Sequence, residues 1–368
     1  MDGVGNDYID KAVDELISAL GVKEFLAPQQ FVFLLDSHKV RECIKAIGLQ
    51  LGVPIEPDVS YVAEGYRPGA KGGFQTSRLV TTDRHHRATG SISAQVSIPQ
   101  DLPLYGSPSL VNFPISVRLS ENCSANAMTF IVVMAHELSH VLLHSLWHRE
   151  KDNEFYTDLT AMILGFADIM RTGRKVVKNS ASTEYRQHST RTTTYTNTTT
   201  YGYLSDANFT FAFEKIERVL NKHRFERNKL LGSVGQFKKK LDDASSLPWY
   251  FLTYLQYLDS HLRRNIPAKD GHRISAFHQF GYIDVFRNTI KKSAATLGTT
   301  SQFAQNLRNY TAENVETIRE CEAQLDAADR ELTTQHCLLR EDVKLLRKYV
   351  SPFHRLKLRF TPAGARKA

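Results

Sequence analysis

The chain has 368 residues, with 47 Lys and Arg against 39 Asp and Glu, a formal net charge of +8 and a pI near 9.2. Its length suits two or three domains, and its 42% hydrophobic share is that of an ordinary folded protein rather than a disordered one. Both signs of charge are mixed along most of the sequence, which argues against nucleic acid as the main partner; the four cysteines, Cys43, Cys123, Cys321 and Cys337, lack the paired spacing of a disulfide framework or a cysteine-ligated zinc.

The N-terminal residues are acidic and polar and carry no secretory pattern. The longest uninterrupted apolar run, residues 130–135, is far below the roughly 18 residues of a membrane span, and a cytoplasmic protein is expected. Residues 7–20 place Ile9, Val13, Leu16, Ile17 and Leu20 at helical spacing, with Gly21 as the stop. Residues 31–51 read as a second, longer helix, so that 1–58 forms a helical cap without chemistry, His38 lying on its surface.

From Val59 the texture turns to β, with candidate strands at 78–82, 91–98 and 110–119. The last two alternate cleanly, as Ile92, Ala94, Val96 and Ile98, and as Val111, Phe113, Ile115, Val117 and Leu119. Pro114 cannot donate to a ladder, which predicts that 110–119 is an edge strand. Such an edge either holds an extended peptide by strand addition or belongs to a sheet that only covers a helix. The glycine-rich residues 65–74 lack the Gly-Lys-Ser/Thr ending of a phosphate-binding loop.

Residues 127–146 are strongly apolar except for His136-Glu137-Leu138-Ser139-His140. On a helix, residues four apart share a face, so His136 and His140 can present two imidazoles to one metal ion while Glu137 stands beside it. The bland alternative, a buried polar helix without metal, leaves two imidazoles and a carboxylate to be buried without partners, which is costly. His144 and His148 extend the stripe, but eight residues of helix rise about 12 Å, too far for one ion; His144 is expected to line the cleft or pack, and His148 to be a solvated turn residue.

If 127–145 and 152–170 are antiparallel helices about a turn near Trp147, Glu154 opposes His140 and Asp158 opposes His136. Glu154 then supplies the third protein ligand of a catalytic zinc, and Asp158 accepts the second ring N–H of His136. His136-Glu137-x-x-His140 with Asn153-Glu154-x-x-x-Asp158 resembles the gluzincin metallopeptidases and is similar to the thermolysin pattern; His136 to His144 also resembles the compact intracellular bacterial peptidases of the ImmA/IrrE type. The resemblance covers about fifty of 368 residues. It implies a zincin-like catalytic domain, zinc as cofactor, Glu137 as general base, and a protein or peptide substrate. The thirteen residues between His140 and Glu154 are fewer than that family usually has, which requires the first helix to stop within one or two turns of His140.

Residues 175–206 are polar and Thr-rich, fitting either a strand or a link, and are expected as a long loop or lid. Tyr201, Tyr203 and His223 are candidate donors to an oxyanion. Helices are expected at 209–231, 247–262, 275–297 and 302–350; in the last, Ile318, Cys321, Leu325, Ala328 and Leu332 follow three–four spacing up to Pro352, which fits an intramolecular hairpin and a self-associating coiled coil equally. The tail from Arg355 is basic and expected to be loose. The expected fold is thus α+β: a helical cap (1–58), a zincin-like core with a small sheet on an active-site helix pair (59–175), a lid (176–206) and a C-terminal helical domain (207–368) that binds a partner or substrate. The expected activity is zinc-dependent peptide hydrolysis; a zinc-containing sensor, a non-peptidase hydrolase and a helical scaffold are the competing classes.

Overall fold

Helix α1, Asn6–Leu20, buries Ile9, Ala12, Val13, Leu16 and Leu20 along one face, as the spacing requires. The fold is that of a computed structural model, which describes residues 4–63, 74–82, 88–121, 123–186, 189–261, 266–278 and 281–361. It is mixed α/β in two compact units, one of Met1–Asn221 with Arg308–Ala312, the other of Lys222–Leu307 with Glu313–Ala368.

In the first unit, strand β1 (Val22–Lys23) follows α1. The stretch expected as one helix over 31–51 is two, α2 (Gln29–Asp36) and α3 (Val40–Leu51), divided where exposed His38 takes a φ of 58°. The reversal lets Phe31 and Leu35 of one helix and Ile44, Ile47 and Leu51 of the other all be buried. Strands β2 (Glu56–Val62), β3 (Phe74–Thr82), β4 (Ala88–Ser97) and β5 (Pro114–Ser120) form one sheet in the order β2-β5-β4-β3. β2 runs parallel to β5, from Glu56 opposite Pro114 to Val62 opposite Ser120, and the other pairings are antiparallel.

Two expectations for this sheet are overturned. β5 is interior, flanked by β2 and β4, so it cannot accept a further strand; Pro114 stands at its first position, where the missing N–H leaves the rest of the ladder intact. Residues 110–113 are not strand, because a 3₁₀ turn at Pro108–Leu110 and a φ of 58° at Asn112 redirect the chain first. Ile115, Val117 and Leu119 do alternate inward. Of residues 65–74, only Phe74 lies within the described chain.

Helix α4 (Ala127–Ser145) crosses the core with β3 and β4 against it. It is long and apolar enough to span a membrane, but 83% of the qualifying window is buried inside the protein, as suits a core helix. The expected second helix is broken into α5 (Glu154–Ala161), a π turn (Met162–Phe166) and α6 (Ala167–Gly173). The break lies at Gly165, with φ 106°, where a β-carbon would come within 2.7 Å of the Glu24 carbonyl oxygen. Residues 175–206 are not a long loop: β6 (Lys175–Arg186) and β7 (Ser189–Thr200) pair as an antiparallel hairpin in unbroken register, Lys175 opposite Thr200. Threonine's β-branching decides the matter once each strand has a partner. A short strand, β8 (Asn309–Tyr310), returns to pair with β1.

The second unit is helical: the greater part of α7 (Asp206–Ser245), then α8 (Leu247–His261), α9 (Ala268–Ala276), α10 (Tyr282–Asn306), α11 (Ala312–Tyr349) and α12 (Pro352–Arg359). The expected helix over 302–350 is interrupted at Leu307, because β8 gains a strand partner and a buried place for Tyr310. Within α11, Ile318, Leu325, Leu332, Leu339 and Leu346 form a buried heptad stripe, and Lys229 to Glu322 at 3.2 Å and Lys240 to Asp329 at 2.8 Å lay α7 parallel to it. The stripe is therefore covered inside the chain. Residues 352–359 are a helix whose first turn carries Pro352 and whose N-cap Ser351 accepts from His354 N, so that the part of the expected loose tail from Arg355 to Arg359 is helical.

Candidate metal centre

The site begins with two helix caps. Asn126 starts α4 by accepting from Thr129 N at 3.1 Å, and Asn153 starts α5 by accepting from Phe155 N at 3.1 Å, which sets Glu154 in the first turn of α5. Between them α4 ends in a Schellman arrangement: His148 N donates to Leu143 O at 2.9 Å and Trp147 N to His144 O at 3.0 Å, with Trp147 at φ 53° in the left-handed position. The reversal is tight enough for α5 to run back along α4.

Consequently His136 Nε2 and His140 Nε2 lie 3.1 and 3.2 Å from the same Glu154 oxygen, Oε2. One ligand atom from each of the three residues lies within 4.8 Å of the others, a spacing that could hold a metal ion; it is the one such group among the described residues. His144 and His148 stay outside it. His144 faces Asp152 at 3.1 Å, while His148, expected to be solvated, is half-buried against the Tyr156 ring and accepts from Glu150 N at 3.1 Å.

The other ring nitrogens are committed to protein partners. His136 Nδ1 is 2.8 Å from Asp158 Oδ1, and His140 Nδ1 is 3.2 Å from Thr157 Oγ1. With a proton on each Nδ1, both Nε2 lone pairs face the common centre, which is the tautomer a metal requires. Asp158 is itself held: its Oδ2 accepts from Tyr203 N at 2.6 Å and Leu204 N at 3.1 Å. Gly202, with φ 88°, permits this approach, since a β-carbon there would sit 3.0 Å from Oδ2. Buried Arg174 donates to Leu204 O and lies over the Phe209 ring, fixing the segment that follows β7. Thr157, Gly202, Arg174 and the two backbone amides were not visible as site residues, because amides 45 and 46 residues from Asp158 leave no side-chain signature.

Burial disfavours the charged form of His136, but its contacts with Asp158 and then Glu154 outweigh that and carry its pKa up to about 10. Burial likewise opposes a charge on Glu154, yet the two imidazoles draw its pKa down to about 2. Without an ion, a proton thus occupies the centre of the cluster in place of a metal's charge. Glu137 follows His136 on α4, is 0% exposed, and its charge bears on His136 and on the thiol of Cys123.

Of the three candidate oxyanion donors, two reach the site. Tyr201 and Tyr203 line a pocket with Val132, Val133, His136, Asp158 and Gly202, and the Tyr203 ring stacks on His136 at 5.6 Å between centroids. Burial, then the neighbouring Cys123, raises the Tyr201 pKa, keeping its hydroxyl a donor. His223 belongs to the second unit, on α7 beside Glu226 at 3.5 Å, and is not among the pocket residues.

The site is therefore a His-His-carboxylate cluster capable of holding a metal, with one more carboxylate on the same helix. Comparison with known proteins adds no relative: no family model matches the chain, and neither a curated protein nor a solved structure does.

Proposed function

We propose that this chain is a zinc-dependent metallopeptidase that hydrolyses peptide bonds of a protein or peptide substrate. The observation that carries the reading is the convergence of His136 Nε2, His140 Nε2 and Glu154 Oε2 while Asp158 and Thr157 hold both outer ring nitrogens. Two imidazoles and one carboxylate are the donor set of a catalytic zinc site, which keeps a position open. Bound there, zinc would lower the pKa of a water toward neutrality and polarise the scissile carbonyl.

The remaining work falls to the chain's own groups. Glu137 takes the proton of the attacking water and returns it to the leaving amine. Asp158 and Thr157 keep the imidazoles in one tautomer, and Tyr201 or Tyr203 offers a hydroxyl to the developing oxyanion.

A second reading, a metal site that senses or stabilises without turnover, is favoured by the 0% exposure of Glu137 and His140. One experiment separates the two. Glu137→Gln is expected to keep stoichiometric zinc and the circular dichroism spectrum of the parent while losing hydrolysis of an unfolded protein substrate. Retained hydrolysis in that variant overturns the peptidase mechanism, and a zinc-loaded parent that cleaves no member of a peptide library supports the second reading.

A further inference from the structure

Three exposed apolar residues stand together on α12. Phe353 is 79% exposed, Leu356 51% and Phe360, at the helix's C-cap, 80%. At 100° per residue they fall within an arc of about 60°, and Leu358, on the opposite side, is the residue the helix buries. Isolated exposed apolar side chains are ordinary, but two phenylalanines and a leucine on one short helical face form a patch.

The charge around the patch says what would cover it. Residues 343–368 contain eight Lys and Arg and no Asp or Glu, which leaves 39 basic against 39 acidic residues in the rest of the chain, so the whole formal net charge of +8 resides in this segment. Exposed Lys357 and Arg359 border the apolar arc on either side. They bring positive charge to the two borders of the face that presents the phenylalanines.

A surface that takes both features must be anionic and apolar within one side chain's reach. A bilayer interface offers this, since an amphipathic helix lying in it buries its apolar face about 5–10 Å into the headgroup and acyl boundary while its basic side chains meet anionic headgroups. A nucleic acid satisfies the basic residues and can stack on a ring, but it gives Leu356 no apolar partner. We propose that α12 with its basic flank docks the protein on anionic lipid membranes, Phe353, Leu356 and Phe360 entering the interface and Lys357 and Arg359 meeting the headgroups. The attachment is peripheral and reversible, because the apolar face is small and each basic residue raises affinity for an anionic surface only about fivefold.

The test is flotation of the full chain with vesicles of phosphatidylcholine alone and of phosphatidylcholine with about a third phosphatidylserine, at low and high salt. The chain is expected to float with the phosphatidylserine vesicles only, and less at high salt. Phe353→Ser with Phe360→Ser, both exposed and so compatible with folding, should weaken binding by at least about tenfold. Lys357→Gln with Arg359→Gln should weaken it by about 25-fold. Absence of flotation with either vesicle overturns the proposal, as does flotation unaffected by the serine changes. Binding to a single-stranded oligonucleotide without vesicle binding makes the face a nucleic-acid surface and overturns it too. So does a dimer that the serine changes dissolve in a chain that ignores vesicles. Zinc content and hydrolysis are not read here, so the outcome is independent of the peptidase reading.

Discussion

Asp158→Asn is the substitution whose cost can be worked most fully from the geometry. Asp158 is 1% exposed and accepts three hydrogen bonds, from His136 Nδ1 at 2.8 Å, Tyr203 N at 2.6 Å and Leu204 N at 3.1 Å. An amide has one acceptor oxygen and one donor group. If its oxygen serves the two backbone amides, its NH₂ confronts His136 and drives the ring proton to Nε2, where the metal should bind. If its oxygen serves His136, two backbone donors meet an NH₂. A hydrogen bond to a charged acceptor is worth about 1 kcal/mol more than a neutral one, so three of them put the loss near 3 kcal/mol for the metal-free protein. Zinc affinity should fall about 10–100-fold, the usual effect of removing a ligand's hydrogen-bond partner. Glu154→Ala should behave differently. Its side chain is 27% exposed but both imidazole partners are buried, so the metal-free fold should lose stability as well, while zinc binding, deprived of a ligand, should nearly vanish rather than fall by about 10–100-fold. The assay is zinc titration of metal-stripped variants against a competing chelator, with denaturant unfolding of the same samples. An Asp158→Asn variant that matches the parent in both refutes the reasoning, and a Glu154→Ala variant that binds zinc like the parent exchanges the two carboxylates' roles.

Other consequences can be measured separately. Because His136 holds a proton up to about pH 10 in the metal-free protein, zinc must displace it; calorimetry in buffers of different ionisation enthalpy should show proton release at neutral pH and tighter binding as pH rises. In the metal-free chain the same raised pKa adds stability that is complete below pH ~6.5 and lost as pH climbs through about 10, while the depressed Glu154 adds stability that is present above pH ~4.5 and lost as pH falls toward about 2; a pH series of unfolding curves tests both edges. Gly202→Ala should cost about 1–2 kcal/mol from its positive φ and weaken zinc as well, since the new methyl presses on Asp158; parental affinity would count against the role given to that segment. A thiol reagent at pH 8 should label exposed Cys337 in the folded protein and Cys43 only after denaturation, because burial pushes the Cys43 thiol up to about 12.

The legibility of this fold varies with how local its causes are. α4 occupies 127–145 as read, because an unbroken apolar run behind Asn126 leaves little choice, and the pairing of 136 with 158 and 140 with 154 follows from counting outward from the turn. The turn's mechanism was not legible, since Trp147 holds a left-handed position usually given to glycine. Nor was the β6–β7 hairpin: a threonine run is equally a strand or a link until a partner strand is known. The break at Leu307 has no proline or glycine to announce it and exists because Tyr310 finds a buried place and Glu24 as hydrogen-bond partner at 3.0 Å. His223 has no sequence feature to separate it from Tyr201 and Tyr203, and only the tertiary fold sorts the three.

The proposed function requires first that His136, His140 and Glu154 hold a metal. Elemental analysis of the purified full chain after equilibration with zinc and removal of excess tests this directly, made beside His136→Ala and His140→Ala with folding checked by circular dichroism. One equivalent of zinc in the parent and essentially none in either folded variant is the predicted result. A parent without zinc, or folded variants that retain the full equivalent, would contradict it.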